Sequence, residues 1–127
     1  MANNIKILLV EDDPFLLSMY ATKFEMEGFV VVLAEDGEKG LKLAGKEKPS
    51  IILLDVLLPK MDGFEVLKAL KADKATKDIP VILLTNLSQR DDVEQGQALG
   101  AVDYLIKAHF MPSEVVEKIK KVLGDKK

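Results

Sequence analysis

Cysteine is absent from the 127-residue chain, which excludes disulfides, thiolate metal sites and cysteine nucleophiles. Histidine occurs once, as His109; a lone imidazole makes no ligand set, so it reads as an ordinary surface side chain in the loop before the last helix. No apolar run reaches membrane-spanning length. The opening MANNIKILLVEDD lacks the basic region and small-residue cleavage site of a secretory signal, and the expectation is a soluble, cytoplasmic protein. Neither sign of charge dominates: 18 basic and 21 acidic side chains leave a net −3, which gives no global electrostatic reason to bind nucleic acid or a membrane surface. Function must therefore reside in a local site.

What is present is apolar material, at 48% of residues, enough for the core of one domain spanning residues 1–127. It is arranged in five short runs bounded by turn signals: Ile5–Val10, Phe29–Ala34, Ile51–Leu54, Pro80–Leu84 and Val102–Ile106. The first, third and fourth barely alternate, as strands buried on both faces of a parallel sheet require.

Helical patterns lie between the runs. The first has Asp13 as N-cap, Pro14 at its first position, Leu17, Tyr20 and Phe24 on one face, and Gly28 as terminator. A second begins near Asp36 and Gly37 with Leu41 and Ala44 inward, and a third spans Gly63–Ala72 with Phe64, Leu67 and Leu70 inward. A fourth runs from an N-cap at Ser88 to Gly100, and a fifth is capped by Ser113 with Val115, Val116, Ile119, Val122 and Leu123 inward. The segment Lys71–Asp78 reads as a solvated loop. Successive strands are separated by one helix each, which gives an α/β, flavodoxin-like (βα)5 fold: a doubly wound, five-stranded parallel sheet with strand order 2-1-3-4-5.

In such sheets ligands bind beyond the carboxyl ends of the strands. Glu11 and Asp12 follow the first strand, Asp55 the third, Thr85 the fourth and Lys107 the fifth. Singly, each has an ordinary explanation: an acid after a strand caps a helix, as Asp13 does, a threonine ends a strand, and a lysine sits on the surface. Together they form a constellation. Three converging carboxylates repel one another unless a cation neutralises them, and an all-oxygen donor set suits Mg2+. Asp55 can serve as a carboxylate nucleophile toward phosphorus, with Lys107 offsetting the developing charge and the Thr85 hydroxyl bonding a phosphoryl oxygen.

The stretches ILLVEDD (Ile7–Asp13), IILLDVLLPKMDG (Ile51–Gly63), PVILLTN (Pro80–Asn86) and GAVDYLIK (Gly100–Lys107) resemble, in order and spacing, the receiver domains of bacterial two-component response regulators. The resemblance covers nearly the whole chain. It implies a switch, not an enzyme, phosphorylated on Asp55, with Glu11, Asp12, Asp55 and the main-chain carbonyl of Leu57 around Mg2+. Thr85 and Lys107 would hold the phosphoryl group, and movement of Thr85 would let the Tyr104 ring rotate and reshape the fourth-helix to fifth-helix face. It also implies a histidine kinase or phosphotransfer protein as donor and a protein as output partner. The active form would be a monomer or a phosphorylation-dependent dimer.

Three positions depart from the family pattern. Ala108 replaces the usual proline, Asn86 stands where a small residue is commonest, and Leu87 stands where a polar residue is usual; an altered phosphoryl lifetime is expected from the last two. A rival reading is a magnesium-dependent phosphatase with an aspartyl nucleophile. Such enzymes want an acid two residues after the nucleophile, where this chain has Leu57. A phosphorylation-independent interaction module is a third reading, disfavoured by the intact acidic set.

Overall fold

Short runs rich in β-branched residues and leucine set five strands in the computed structural model, which describes residues 5–85, 90–106 and 112–124. In chain order the elements are β1 (Lys6–Val10), α1 (Pro14–Met26), β2 (Val30–Ala34), α2 (Gly37–Glu47), β3 (Ile51–Asp55), α3 (Gly63–Ala72), β4 (Val81–Thr85), α4 (Arg90–Ala98), β5 (Asp103–Ile106) and α5 (Pro112–Gly124). The strands form one sheet in the order β2-β1-β3-β4-β5, and every pairing is parallel. This is the fold expected from the sequence.

The strands without alternation are the ones covered on both faces. Every residue of β3 is buried, as are four of the five in β1, whereas β2 lies at the edge and leaves Val30 and Leu33 exposed. Odd-numbered side chains of β1 and β3 (Ile7, Leu9, Ile51, Leu53) pack with Leu17, Tyr20 and Phe24 of α1 and Val115, Val116 and Ile119 of α5. Even-numbered ones (Leu8, Val10, Ile52, Leu54) pack with Ala44 of α2 and Val66, Leu67 and Leu70 of α3. The period-two alternation of a strand thus feeds two separate cores, one on each side of the sheet.

Local signals fix the helix ends. Asp13 Oδ1 accepts from the Phe15 and Leu16 amides at 2.9 and 3.4 Å, and Gly28 takes φ +91 beyond the last turn of α1. Asp62 and Glu65 form a reciprocal capping box on α3, with bonds of 3.0 and 3.1 Å.

Three local expectations are corrected. Pro112 occupies the first position of α5, so Ser113 lies inside the first turn instead of capping it. Asp55 and Thr85 are the last residues of β3 and β4, not the first residues after them. The stretch read as a solvated loop at 71–78 begins inside α3, and its Thr76 is buried, with the hydroxyl donating to the Leu70 carbonyl at 2.7 Å. Ser88, proposed as the α4 cap, lies outside the described residues. No helix among the described residues is long and apolar enough to cross a membrane.

Candidate functional site

Strand register decides what meets at the carboxyl edge. Val10 pairs with Leu54, so Glu11, just past the end of β1, and Asp55, the last residue of β3, emerge side by side. Asp55 pairs in turn with Leu84, and Thr85 with Ile106. Four apolar residues, Ile51–Leu54, precede Asp55 in β3 and Leu84 pairs with it on β4, so the close-packed interior stops just short of the polar rim.

One carboxylate oxygen from each of Glu11, Asp12 and Asp55 lies within 4.8 Å of the other two. Glu11 and Asp55 are almost fully buried, at 1% and 4% exposure, and Asp12 faces solvent. The buried pair is oriented by the backbone. Glu11 Oε2 accepts from the Asp13 amide at 3.0 Å and Asp55 Oδ1 from the Leu57 amide at 3.2 Å. The Glu11 amide itself donates to the Ala34 carbonyl at 3.0 Å, which extends the β1–β2 ladder by one bond and fixes where the side chain starts. Burying two carboxylates beside a third is unfavourable by Coulomb repulsion unless positive charge compensates. Three oxygen donors at this spacing, one of them solvent-facing, fit a hard divalent cation that retains part of its water shell.

The loop between β3 and α3 closes over this edge. The Gly63 amide donates to the Val56 carbonyl at 2.8 Å, and the Met61 amide to the Pro59 carbonyl at 2.7 Å. Between them Lys60 adopts the left-handed region at φ +69. Gly63 has to be glycine for a packing reason: a β-carbon there would overlap the Asp55 carbonyl oxygen and stand 2.8 Å from Val56 Cα. Leu57 projects its side chain into solvent, 65% exposed, while its amide turns inward to Asp55.

The chain matches the response regulator receiver domain model over residues 7–120. It belongs to the response regulator receiver domain family. Among curated relatives, the receiver is 44% identical over 118 residues to the DNA-binding dual master transcriptional regulator RpaA of Synechocystis, covering 93% of this chain and 48% of the relative. It is 42% identical to the alkaline phosphatase synthesis transcriptional regulatory protein PhoP of Bacillus subtilis, over 94% of this chain and 49% of that one. The receiver chain thus spans about half the length of these relatives. Solved structures give the same fold. A chemotaxis response regulator of Vibrio cholerae superposes with TM-score 0.89 at 30% identity, covering 95% of this chain and all of that one. The receiver domain of a Pseudomonas aeruginosa sensor histidine kinase, described with a magnesium ion coordinated in its active-site cleft, gives 0.87 at 29% identity over 96% and 99%.

Of the site residues named from the sequence, the receiver brings Glu11, Asp12 and Asp55 together and puts Leu57 next to them through its amide. The backbone of Thr85 ends β4 on the same edge. Tyr104 lies in β5, paired with Leu83, and its half-buried side chain packs against the core on the α2 and α3 side. Lys107, Asn86, Leu87, Ala108 and His109 fall outside the described residues. What the sequence did not show is the seat of the β3–α3 loop: Met61 rests on Gly37 at the start of α2. A glycine in a first helical turn looks like a weak helix former, and only the approach of another segment gives it a reason.

Proposed function

We propose that this receiver is a phospho-acceptor switch in a two-component pathway, with Asp55 as the acceptor. The observation that carries the proposal is the triad of Glu11, Asp12 and Asp55 oxygens within 4.8 Å at the carboxyl edge of the sheet. Glu11, Asp12, Asp55 and the Leu57 carbonyl would hold Mg2+. When bound, that ion would neutralise the carboxylates and draw charge from the transferring phosphoryl group.

Asp55 is suited to attack because it is oriented before the donor arrives. Burial restricts its rotamers, and the Leu57 amide fixes one of its oxygens. In the step itself, a carboxylate oxygen of Asp55 bonds to phosphorus as the P–N bond of a phosphohistidine breaks. The leaving imidazole nitrogen recovers a proton from water, and the product is an acyl phosphate on Asp55. In this reading Thr85 donates its hydroxyl to a phosphoryl oxygen, and the Lys107 ammonium balances the added charge. Rotation of Tyr104 against its packed side would carry the change to the face formed by α4, β5 and α5. A histidine kinase or phosphotransfer protein supplies the group, and the output passes to a protein partner, with the receiver acting as a signalling switch and not as a hydrolase.

Acetyl phosphate with Mg2+ tests this. The expected result is a mass increase of one phosphoryl group per chain in the wild type and none in Asp55→Asn. Sustained turnover of small phosphomonoesters without a stoichiometric label would instead support the phosphatase reading, which Leu57 disfavours by offering no acid two residues after Asp55. A second test concerns lifetime. Decay of the label in wild type and Leu87→Glu should differ, and equal rates would remove the role given to Leu87.

A further inference from the structure

The corner where β2 enters α2 touches both segments that carry the acids. The carbonyl of Ala34, the last residue of β2, accepts the amide of Glu11. Asp36 then caps α2, its Oδ1 taking the Lys39 amide at 2.8 Å while its other oxygen faces Lys60 Nζ at 3.8 Å. Gly37 is buried against the β3–α3 loop, where a β-carbon would overlap the Met61 carbonyl oxygen and stand 2.9 Å from the Met61 carbonyl carbon. One turn on, a β-carbon at Gly40 would lie 2.9 Å from both γ-carbons of Val10, the residue before Glu11. Positions three apart share a helix face, so a single face of α2 meets the end of β1 and the apex of the loop.

The loop has no slack to absorb a push at that apex. Between Leu57 and Met61 stand three residues, one of them Pro59 and one, Lys60, already at φ +69, and the loop is hydrogen-bonded shut at its base from Gly63 to Val56. A displacement of the Met61 backbone must pass to Leu57, whose amide holds Asp55.

We infer that Gly37, assisted by Gly40, is a positioning residue for the cation site: the bare face of α2 sets the separation between the Glu11 end of β1 and the β3–α3 loop that carries Leu57. The inference rests on the proposed reading of this edge as a magnesium-holding phospho-acceptor site. Its chemistry is indirect. Neither glycine touches the ion, and each acts through the backbone or side chain it allows to approach.

Calorimetric Mg2+ titration of the folded protein, alongside far-ultraviolet circular dichroism and thermal melting, separates positioning from plain destabilisation. Gly37→Ala is expected to weaken Mg2+ binding about tenfold, the scale on which groups supporting metal ligands act. Gly40→Ala should weaken it less, about threefold, because the Val10 methyls can yield where the Met61 carbonyl cannot. Gly45→Ala, on the same helix with open space around it, should leave the affinity unchanged. A purely structural role would lower the melting temperature of Gly37→Ala and leave Mg2+ affinity at the wild-type value, and that result overturns the inference. If Gly37→Ala does not fold, Gly40→Ala decides: native dichroism with wild-type affinity overturns it equally. A wild type that binds no Mg2+ would remove the reading of the site itself, an outcome distinct from the failure of the brace.

Discussion

At the amino ends of the strands Lys6 and Lys71 reach backbone carbonyls, whereas at the carboxyl ends the acids are gathered against one another. Lys6 Nζ donates to the Glu47 carbonyl at 3.2 Å as well as to its carboxylate at 3.1 Å. Lys71 Nζ bonds the Lys77 and Ile79 carbonyls at 3.0 and 3.2 Å, and its stem lies against Gly100. Burial pushes the Lys71 ammonium below the ordinary lysine range, with Asp78 pulling it back up. Each of these bonds completes a loop or a helix end, so the polar chemistry of that end is self-contained. At the other end, three carboxylates meet within 4.8 Å. Polar groups that close on the backbone build the fold, and polar groups aimed at like charge point to a ligand from outside.

If that contrast is right, changes at the two ends fall on different observables. Glu11→Gln preserves an oxygen that can accept from the Asp13 amide and should cost Mg2+ affinity about 10- to 100-fold with little change in the dichroism; an unchanged calorimetric titration would break the contrast. Thr76→Val at the amino end should do the reverse. It strips the buried hydroxyl from the Leu70 carbonyl and should lower unfolding free energy in urea by about 1–2 kcal/mol, leaving Mg2+ affinity untouched. The smallest effect concerns Glu27, which joins α1 to α5 through Lys23 at 3.3 Å and Lys120 at 3.4 Å. The hydrogen bond from Lys23, then that from Lys120, holds its carboxyl below the ordinary value of 4.5. A carboxyl lowered in the folded state stabilises fully above that value and loses its contribution as pH falls through the folded pKa. The urea midpoints of wild type and Glu27→Gln should therefore differ slightly at pH 7, converge as pH falls through the lowered folded pKa, and converge at neutral pH in high salt as well.

The same contrast explains what could be read from the sequence. Unbroken apolar runs such as Ile51–Leu54 announce strands covered on both faces, and the order of β and α elements then allows few topologies, so the sheet order was legible before any coordinates. Glu11, Asp12 and Asp55 were legible because position after a strand converts directly into position on one edge. Contacts that depend on how closely two segments approach were not. Thr76 looked like part of a polar loop because nothing in lysine-rich 71–78 tells that its hydroxyl reaches back to Leu70. Gly37 was read only as the start of the second helix, because Met61, whose backbone leaves no room for a side chain there, lies 24 residues away in sequence. Pro112 took the helix position expected of a residue after Ser113 because a fixed φ suits the first turn as well as a cap does.

Thermal melting with and without Mg2+, on wild type and Asp55→Asn, tests the central claim most directly. A ligand that binds only the folded state stabilises it by RT ln(1 + L/Kd), where L is the free ligand concentration, so its melting temperature keeps climbing with the logarithm of ligand concentration above Kd. The wild type should gain a rise that grows with the logarithm of Mg2+ concentration, and the variant, lacking one of the three converging charges, should gain little or none. Equal rises in the two proteins would contradict the account, because the ion would then be held somewhere other than at the meeting point of Glu11, Asp12 and Asp55.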